Sequence, residues 1–198
     1  MTELDNRSSK SDKSVSITGV NYATCCSGTK YKNRDDLVLI ALDSGSNVCG
    51  CFTISTMPSA PVIWSKKNIK KSNNLEQKSV LLINAGNANA FTGNDGLIAC
   101  EEKALALANA FKCDKRNIFL ASTGVIGEKL PYKKIIQHFD YLKGNLSSSG
   151  LMAASNAILT TDLQPKTYTS KFKIYNELFT ITGFAKGSGM IYPKMATM

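Results

Sequence analysis

The chain carries a single histidine, His138, which rules out a histidine-rich metal centre and leaves one imidazole for any nucleophile–base pair. A Ser-His or Cys-His nucleophile pair needs an imidazole base, and a histidine-rich metal centre needs several. His138 sits beside an apolar stripe, where a structural or surface role is expected. Long hydrophobic runs are missing too: Leu37-Val-Leu-Ile-Ala-Leu42 is strand-sized, far short of the ~20 residues that a membrane-spanning helix needs. No C-x-x-C pair occurs among the six cysteines at 25, 26, 49, 51, 100 and 113, so no zinc-site spacing is present. Cys49 and Cys51 are expected on one face of a strand. Buried, reduced thiols are therefore predicted, and with them a reducing, cytoplasmic compartment. The opening thirteen residues lack an apolar centre and hold Glu3, Asp5 and Asp12. They are expected to form a mobile arm, not a secretory signal or an organellar presequence.

What is present describes an ordinary globular chain. Its 198 residues are 43% hydrophobic and 20% charged, enough for one substantial core with room for a small second lobe. The net charge is +9, with lysines concentrated at 66, 67, 70 and 71 and at 129, 133, 134 and 143. Aromatic residues do not alternate with them and no nucleic-acid module signature appears, so a solvated basic surface is expected. A basic ligand- or nucleic-acid-binding domain stays as a distant alternative.

Strands are predicted at Ser14–Val20, Leu37–Leu42, Val48–Ile54, Ser79–Asn84 and Asn117–Ser122, each rich in Val, Ile, Leu or Phe and bounded by turn formers. A hairpin is predicted over Lys171–Phe184, with strands Phe172–Tyr175 and Leu178–Phe184. Helices are predicted at Ile98–Phe111, with Ile98, Leu105, Ala108 and Phe111 as its stripe, at Pro131–Leu142 and at Gly150–Leu159. Lys66–Lys78 reads as a polar connection. The fold class is α/β, with mixed β-sheets and packed helices.

Three segments look unlike packing material. Asn84-Ala-Gly-Asn-Ala-Asn-Ala-Phe-Thr-Gly-Asn-Asp-Gly96 leads from a strand into a helix. It could offer backbone N–H groups to an anion, but an asparagine-rich structural turn is the favoured reading. Ala121-Ser-Thr-Gly-Val-Ile-Gly127 follows a strand, and a Thr-Gly step there can set a hydroxyl beside a backbone N–H, the two donors an oxyanion needs. A plain strand-to-helix turn is the competing reading. The third segment, Gly183 to Met198, holds Lys186-Gly-Ser-Gly189, which has the wrong order for a phosphate-binding loop. Lys186, Ser188 and Thr197 remain as its polar groups.

Thr123-Gly124, Thr160-Thr-Asp162, Lys186-Gly-Ser-Gly-Met and Met195-Ala-Thr-Met198 occur in one order, together with the Asn84 run and Pro58-Ser-Ala-Pro-Val62. The set resembles the ArgJ family, the ornithine acetyltransferases (glutamate N-acetyltransferases) of arginine biosynthesis, from about Val15 onward. The resemblance implies an ArgJ/DmpA-like self-processing fold, with residues 14–198 as an α-chain region and a β chain beyond them. It implies cleavage between Ala196 and Thr197, which makes Thr197 the nucleophile and frees an α-amine that titrates near ~8 as its base. Thr123 and Gly124 become the oxyanion hole, and Thr160, Lys186 and Thr197 the substrate contacts. The implied reaction moves acetyl from N-acetylornithine to glutamate through an acetyl-threonine, without metal or cofactor, with acetyl-CoA open as a further donor. The implied assembly has two α and two β chains, with no nucleic acid and no membrane. A related self-processing amidase or aminopeptidase is the alternative within enzymes.

Overall fold

A computed structural model describes residues 16–70 and 76–188. Its centre is a four-stranded sheet of β1 (Val20–Cys25), β2 (Leu37–Leu42), β3 (Ser79–Asn87) and β4 (Ile118–Val125), in that spatial order. β1 with β2 and β2 with β3 are antiparallel, while β3 and β4 are parallel. The helices are α1 (Ala60–Ile69), α2 (Gly93–Phe111), α3 (Tyr132–Ile136), α4 (Phe139–Gly144) and α5 (Leu151–Ala157). A separate hairpin of β5 (Lys166–Ile174) and β6 (Glu177–Ala185) follows.

The sheet is covered on both faces, which explains the unbroken apolar run of β2. Leu37 and Leu39 join the cluster built with Ala99, Ala104 and Leu107 of α2 and with Ile135, Phe139 and Leu142. Val38 and Ile40 point the other way, into a cluster with Tyr22 and with Leu151, Ala154 and Ala157 of α5. Each fully buried leucine of this kind contributes about 1.5–3 kcal/mol. Phe184 of β6 packs against the α5 side, which ties the hairpin to the sheet.

β4 lies at the sheet edge, where unpaired backbone groups need cover. Helix α1 supplies it with side chains: Ser65 Oγ donates to the Leu120 carbonyl at 2.8 Å and accepts from the Leu120 N–H at 2.9 Å. Trp64 Nε1 donates to the Ile118 carbonyl at 2.8 Å, and Asn68 Nδ2 to the same oxygen at 3.3 Å. This helix takes in the first residues, 66–69, of the polar connection expected at Lys66–Lys78. Its buried side chains include Ser65 and Asn68, so no apolar period announces it.

Other expectations shift. The first strand runs from Val20 to Cys25 and shares only Val20 with the expected Ser14–Val20, of which residues 14 and 15, like the expected arm, lie outside the described residues. Val48–Ile54 is irregular, and Cys49, Cys51 and Ile54 are exposed there. Among the described residues its apolar alternation has no neighbouring strand to pair with. All six cysteines are free, as expected, but burial holds only for Cys25 and Cys100, with Cys26 and Cys113 half-buried. The segment Pro131–Leu142 breaks into α3 and α4, with half-buried His138 immediately before α4. Helix α2 starts at Gly93, and its buried stripe runs through Ala99, Cys100, Lys103, Ala104, Leu107 and Ala108, while Ile98 and Leu105 are exposed. Lys103 is fully buried and its Nζ has no hydrogen-bond partner among the described residues. Burial lowers its ammonium to about 8. The hairpin is longer than expected and turns at Tyr175 and Asn176, both with positive φ (48° and 68°), the backbone of a tight two-residue turn.

Among the described residues, no helix is long and apolar enough to cross a membrane, and no group of His, Cys, Asp or Glu side chains could hold a metal ion.

Candidate active site

The asparagine-rich segment at the end of β3 and just beyond it is a structural turn. Asn84, Asn87 and Asn89 are buried. Asn84 accepts from Ser122 Oγ at 2.7 Å and donates to the Asn87 carbonyl at 2.8 Å. Asn87 donates to the Glu128 carbonyl at 3.0 Å and accepts from the Asn89 N–H at 2.7 Å. Asn89, at φ 46°, donates to the Gly96 carbonyl at 3.1 Å and accepts from Thr92 Oγ1 at 3.0 Å. The three amides are occupied in holding the ends of β3 and β4 and the start of α2.

That turn fixes Thr123 and Gly124 at the end of β4. Gly124 pairs with Gly86 of β3 and has φ 136°. A Cβ on Gly124 would lie 2.2 Å from the Gly86 carbonyl carbon and 2.5 Å from the Asn87 nitrogen. No side chain fits between these two backbones. Ile118 and Leu120 face the α1–α2 cluster, so strand alternation turns Thr123 to the opposite face, where α5 and the hairpin lie.

Thr160 reaches the same place from the chain leaving α5. The guanidinium of Arg34, which also lies over the Tyr31 ring at 4.2 Å, donates to the Leu159 carbonyl just before it. The third group comes from the far end of β6. Lys186 Nζ donates to Thr160 Oγ1 at 2.8 Å and to Thr123 Oγ1 at 3.0 Å. Its side chain is 25% exposed, so the cluster opens to solvent at the lysine.

Asp162 lies behind this cluster. Its Oδ1 accepts from the Gly187 N–H at 2.6 Å and from Lys166 Nζ at 2.7 Å, and its Oδ2 lies 3.9 Å from Lys186 Nζ. Thr161 Oγ1 and Ser188 Oγ are 3.2 Å apart. Hydrogen bonds from Lys166 and then Gly187 hold the Asp162 carboxyl down at about 2. It is an anion throughout the physiological range.

Four of the sequence-predicted site residues, Thr123, Gly124, Thr160 and Lys186, therefore meet at one place. Ala196 and Thr197 lie outside the described residues. Sequence reading missed Lys166 and Arg34 and treated Asp162 only as part of a motif. An acidic side chain two residues beyond a site threonine was the available signal for Asp162. The arrangement has a defined chemical capacity. An ammonium has no lone pair, so both threonine hydroxyls accept from Lys186 and turn their own protons elsewhere. A hydroxyl whose oxygen receives a charged donor is polarised into a stronger donor itself. The Thr123 hydroxyl is in this way prepared to bond a developing negative charge.

Solved structures share this architecture. The chain is similar to the arginine biosynthesis bifunctional protein ArgJ of Bacillus halodurans, with a TM-score of 0.81 and 30% identity over 91% of this chain and 94% of that one. It is also similar to the ornithine acetyltransferase of Mycobacterium tuberculosis solved with ornithine, with a TM-score of 0.78 and 27% identity over 89% and 92% of the two chains. By sequence it is 44% identical over 182 residues to the ArgJ protein of Nitrobacter winogradskyi, covering 92% of this chain and 44% of that relative. The ArgJ protein of Bradyrhizobium diazoefficiens is 45% identical over 186 residues, or 92% of this chain and 43% of the relative. The ArgJ family profile matches residues 21–198. The chain belongs to the ArgJ family, and it spans less than half the length of these curated relatives.

Proposed function

We propose that this chain forms the oxyanion-binding and substrate-binding half of an acetyltransferase of arginine biosynthesis. The observation that carries the reading is the meeting of Thr123, Thr160 and Lys186, brought from β4, the exit of α5 and the end of β6 onto one ammonium. A prepared hydroxyl donor beside a glycine at a strand end suits acyl transfer, in which a carbonyl oxygen becomes negative as the nucleophile adds.

In this reading Thr197 Oγ first attacks the carbonyl carbon of Ala196. The C–N bond breaks, the Ala196 acyl group passes to oxygen, and water hydrolyses the resulting ester. The step releases an α-amine on the residue that carries the nucleophilic hydroxyl. The amine then takes the hydroxyl proton as Thr197 attacks the acetyl group of N-acetylornithine. Thr123 Oγ–H and the Gly124 N–H receive the oxyanion, ornithine departs with the proton, and the α-amine of glutamate removes the acetyl group. Lys186 offers charge to a substrate carboxylate, and Thr160 holds it in place. Acetyl-CoA is a second donor open to the same acetyl-threonine. We assign the working enzyme two α and two β chains and a cytoplasmic location, which suits its free thiols.

The test is intact mass and acetyl transfer with the full-length gene product. Wild type is expected as two polypeptides joined at Ala196–Thr197 before cleavage, and Thr197→Ala as one uncleaved, inactive chain. A fully active wild type that stays a single chain overturns the processing step. Acetyl passing to water in preference to glutamate overturns the transferase in favour of an amidase.

A further inference from the structure

We propose that Asp162 is the positioning residue of this site, the side chain that sets Lys186 against Thr123 and Thr160. Acetyl transfer enters this inference only as one of its readouts.

Lys186 lies just beyond a two-stranded hairpin, and such an element holds its position poorly without outside anchors. Asp162 grips the hairpin base on both sides. Lys166, which it binds through Nζ, opens β5, and Gly187, which it binds through the backbone N–H, follows β6. Lys166 and Ala185 are cross-strand partners, so the two contacts lie at one level of the hairpin. One carboxylate oxygen thus fixes the backbone next to Lys186 in relation to Thr160, two residues before Asp162 itself.

The second oxygen carries the electrostatic part. The Asp162 side chain has no exposed surface, and Oδ2 has no hydrogen-bond partner among the described residues. Lys186 Nζ, 3.9 Å away, stands too far for a hydrogen bond but near enough for a strong charge interaction. Among the described residues Asp162 is the only carboxylate within 4.0 Å of Lys186. The ammonium is drawn toward the anion while its hydrogen bonds go to the two threonines, which fixes its place and leaves the carboxylate behind it. A proton-transfer role does not suit Asp162, because a carboxyl held at about 2 and closed off from solvent takes up no proton near neutrality.

The experiment uses the full-length gene product with Asp162→Asn, which keeps the size and an acceptor oxygen but removes the charge. Two readouts are taken: kcat/KM for acetyl transfer, and labelling of Lys186 by an amine-reactive reagent measured by peptide mass. Asp162→Asn is expected to lower kcat/KM about 10- to 100-fold through lost positioning, and to raise Lys186 labelling severalfold. Asp162→Glu, which restores the charge, is expected to recover part of both. In a Lys186→Gln background Asp162→Asn is expected to change kcat/KM by less than about twofold, as coupled residues do. An equal loss in both backgrounds, or unchanged Lys186 labelling in Asp162→Asn, overturns the inference. Should Asp162→Asn not fold, Lys166→Gln carries the same comparison with a smaller loss, and unchanged labelling there overturns it too. If wild type transfers no acetyl, the labelling result still decides the positioning role, and only the functional reading fails.

Discussion

Lys186 and Thr123, sixty-three residues apart in the chain, are joined by a 3.0 Å hydrogen bond in which the lysine donates and the threonine accepts. The direction of that bond makes Thr123 a donor toward the open side of the site. Replacing Thr123 with valine keeps the β-branched shape and removes the hydroxyl. Thr123→Val is expected to lower kcat for acetyl transfer by about 10²–10³-fold, the usual effect of losing one oxyanion donor. Steady-state kinetics check this, and a loss confined to KM contradicts the assignment.

Gly124→Ala is expected to damage the fold itself. The added methyl would enter the space between β4 and the Gly86–Asn87 backbone, at a φ of 136° that other residues rarely adopt. A backbone shift and strain together are expected to cost about 2–4 kcal/mol. Denaturant unfolding measures it, and a variant as stable as wild type would mean the two strands separate freely at this point.

Lys103 gives a stability effect with a defined pH window. Its ammonium is lowered by burial to about 8 from 10.5. Below pH 8 both folded and unfolded chains hold the proton, and the cost of burying it is fully present. Between about 8 and 10.5 the folded chain has released the proton while the unfolded chain still binds it, so stability rises with pH. Lys103→Met, with no charge to bury, is expected to exceed wild type in stability at pH 7, and its advantage is expected to shrink by about 3 kcal/mol across the window. A pH-independent difference, measured by denaturant unfolding in parallel, refutes this.

The cysteines divide by access. Cys49 and Cys51 are exposed, whereas Cys25 and Cys100 are buried. Burial, with Asp35 and Asp36 nearby, pushes the Cys25 thiol up to about 12. Native treatment with iodoacetamide is expected to modify Cys49 and Cys51 and to spare Cys25 and Cys100. Peptide mass mapping checks this, and early loss of Cys100 would show that α2 opens from the sheet.

Legibility in the sequence followed the physical signal each part carried. The central strands could be read because β2 is buried on both faces and its residues are apolar throughout. Helix α1 could not, because the positions it buries include Ser65 and Asn68, which cap the β4 edge through hydrogen bonds. Polar burial leaves no hydrophobic period. Val48–Ile54 misled for the opposite reason: alternation marks a strand only where a partner strand exists. At the site, Thr123, Gly124, Thr160 and Lys186 were legible through their resemblance to a family. Asp162 and Lys166 work by holding others, and their importance depends on a hairpin register that composition does not reveal.

The hairpin has a practical consequence for anyone working with this protein. Much of its apolar surface, including Tyr168, Leu178 and Ile181, is exposed, while Phe184 packs against the α5 side. The lysine of the site is thus delivered by an element that adds little to the cooperative unit formed by the sheet and its helices. A melting curve follows that unit and does not by itself report whether Lys186 has reached Thr123. A sample can melt normally with its site undone, so the quality of a preparation has to be judged at the lysine, by its chemistry and not by its heat.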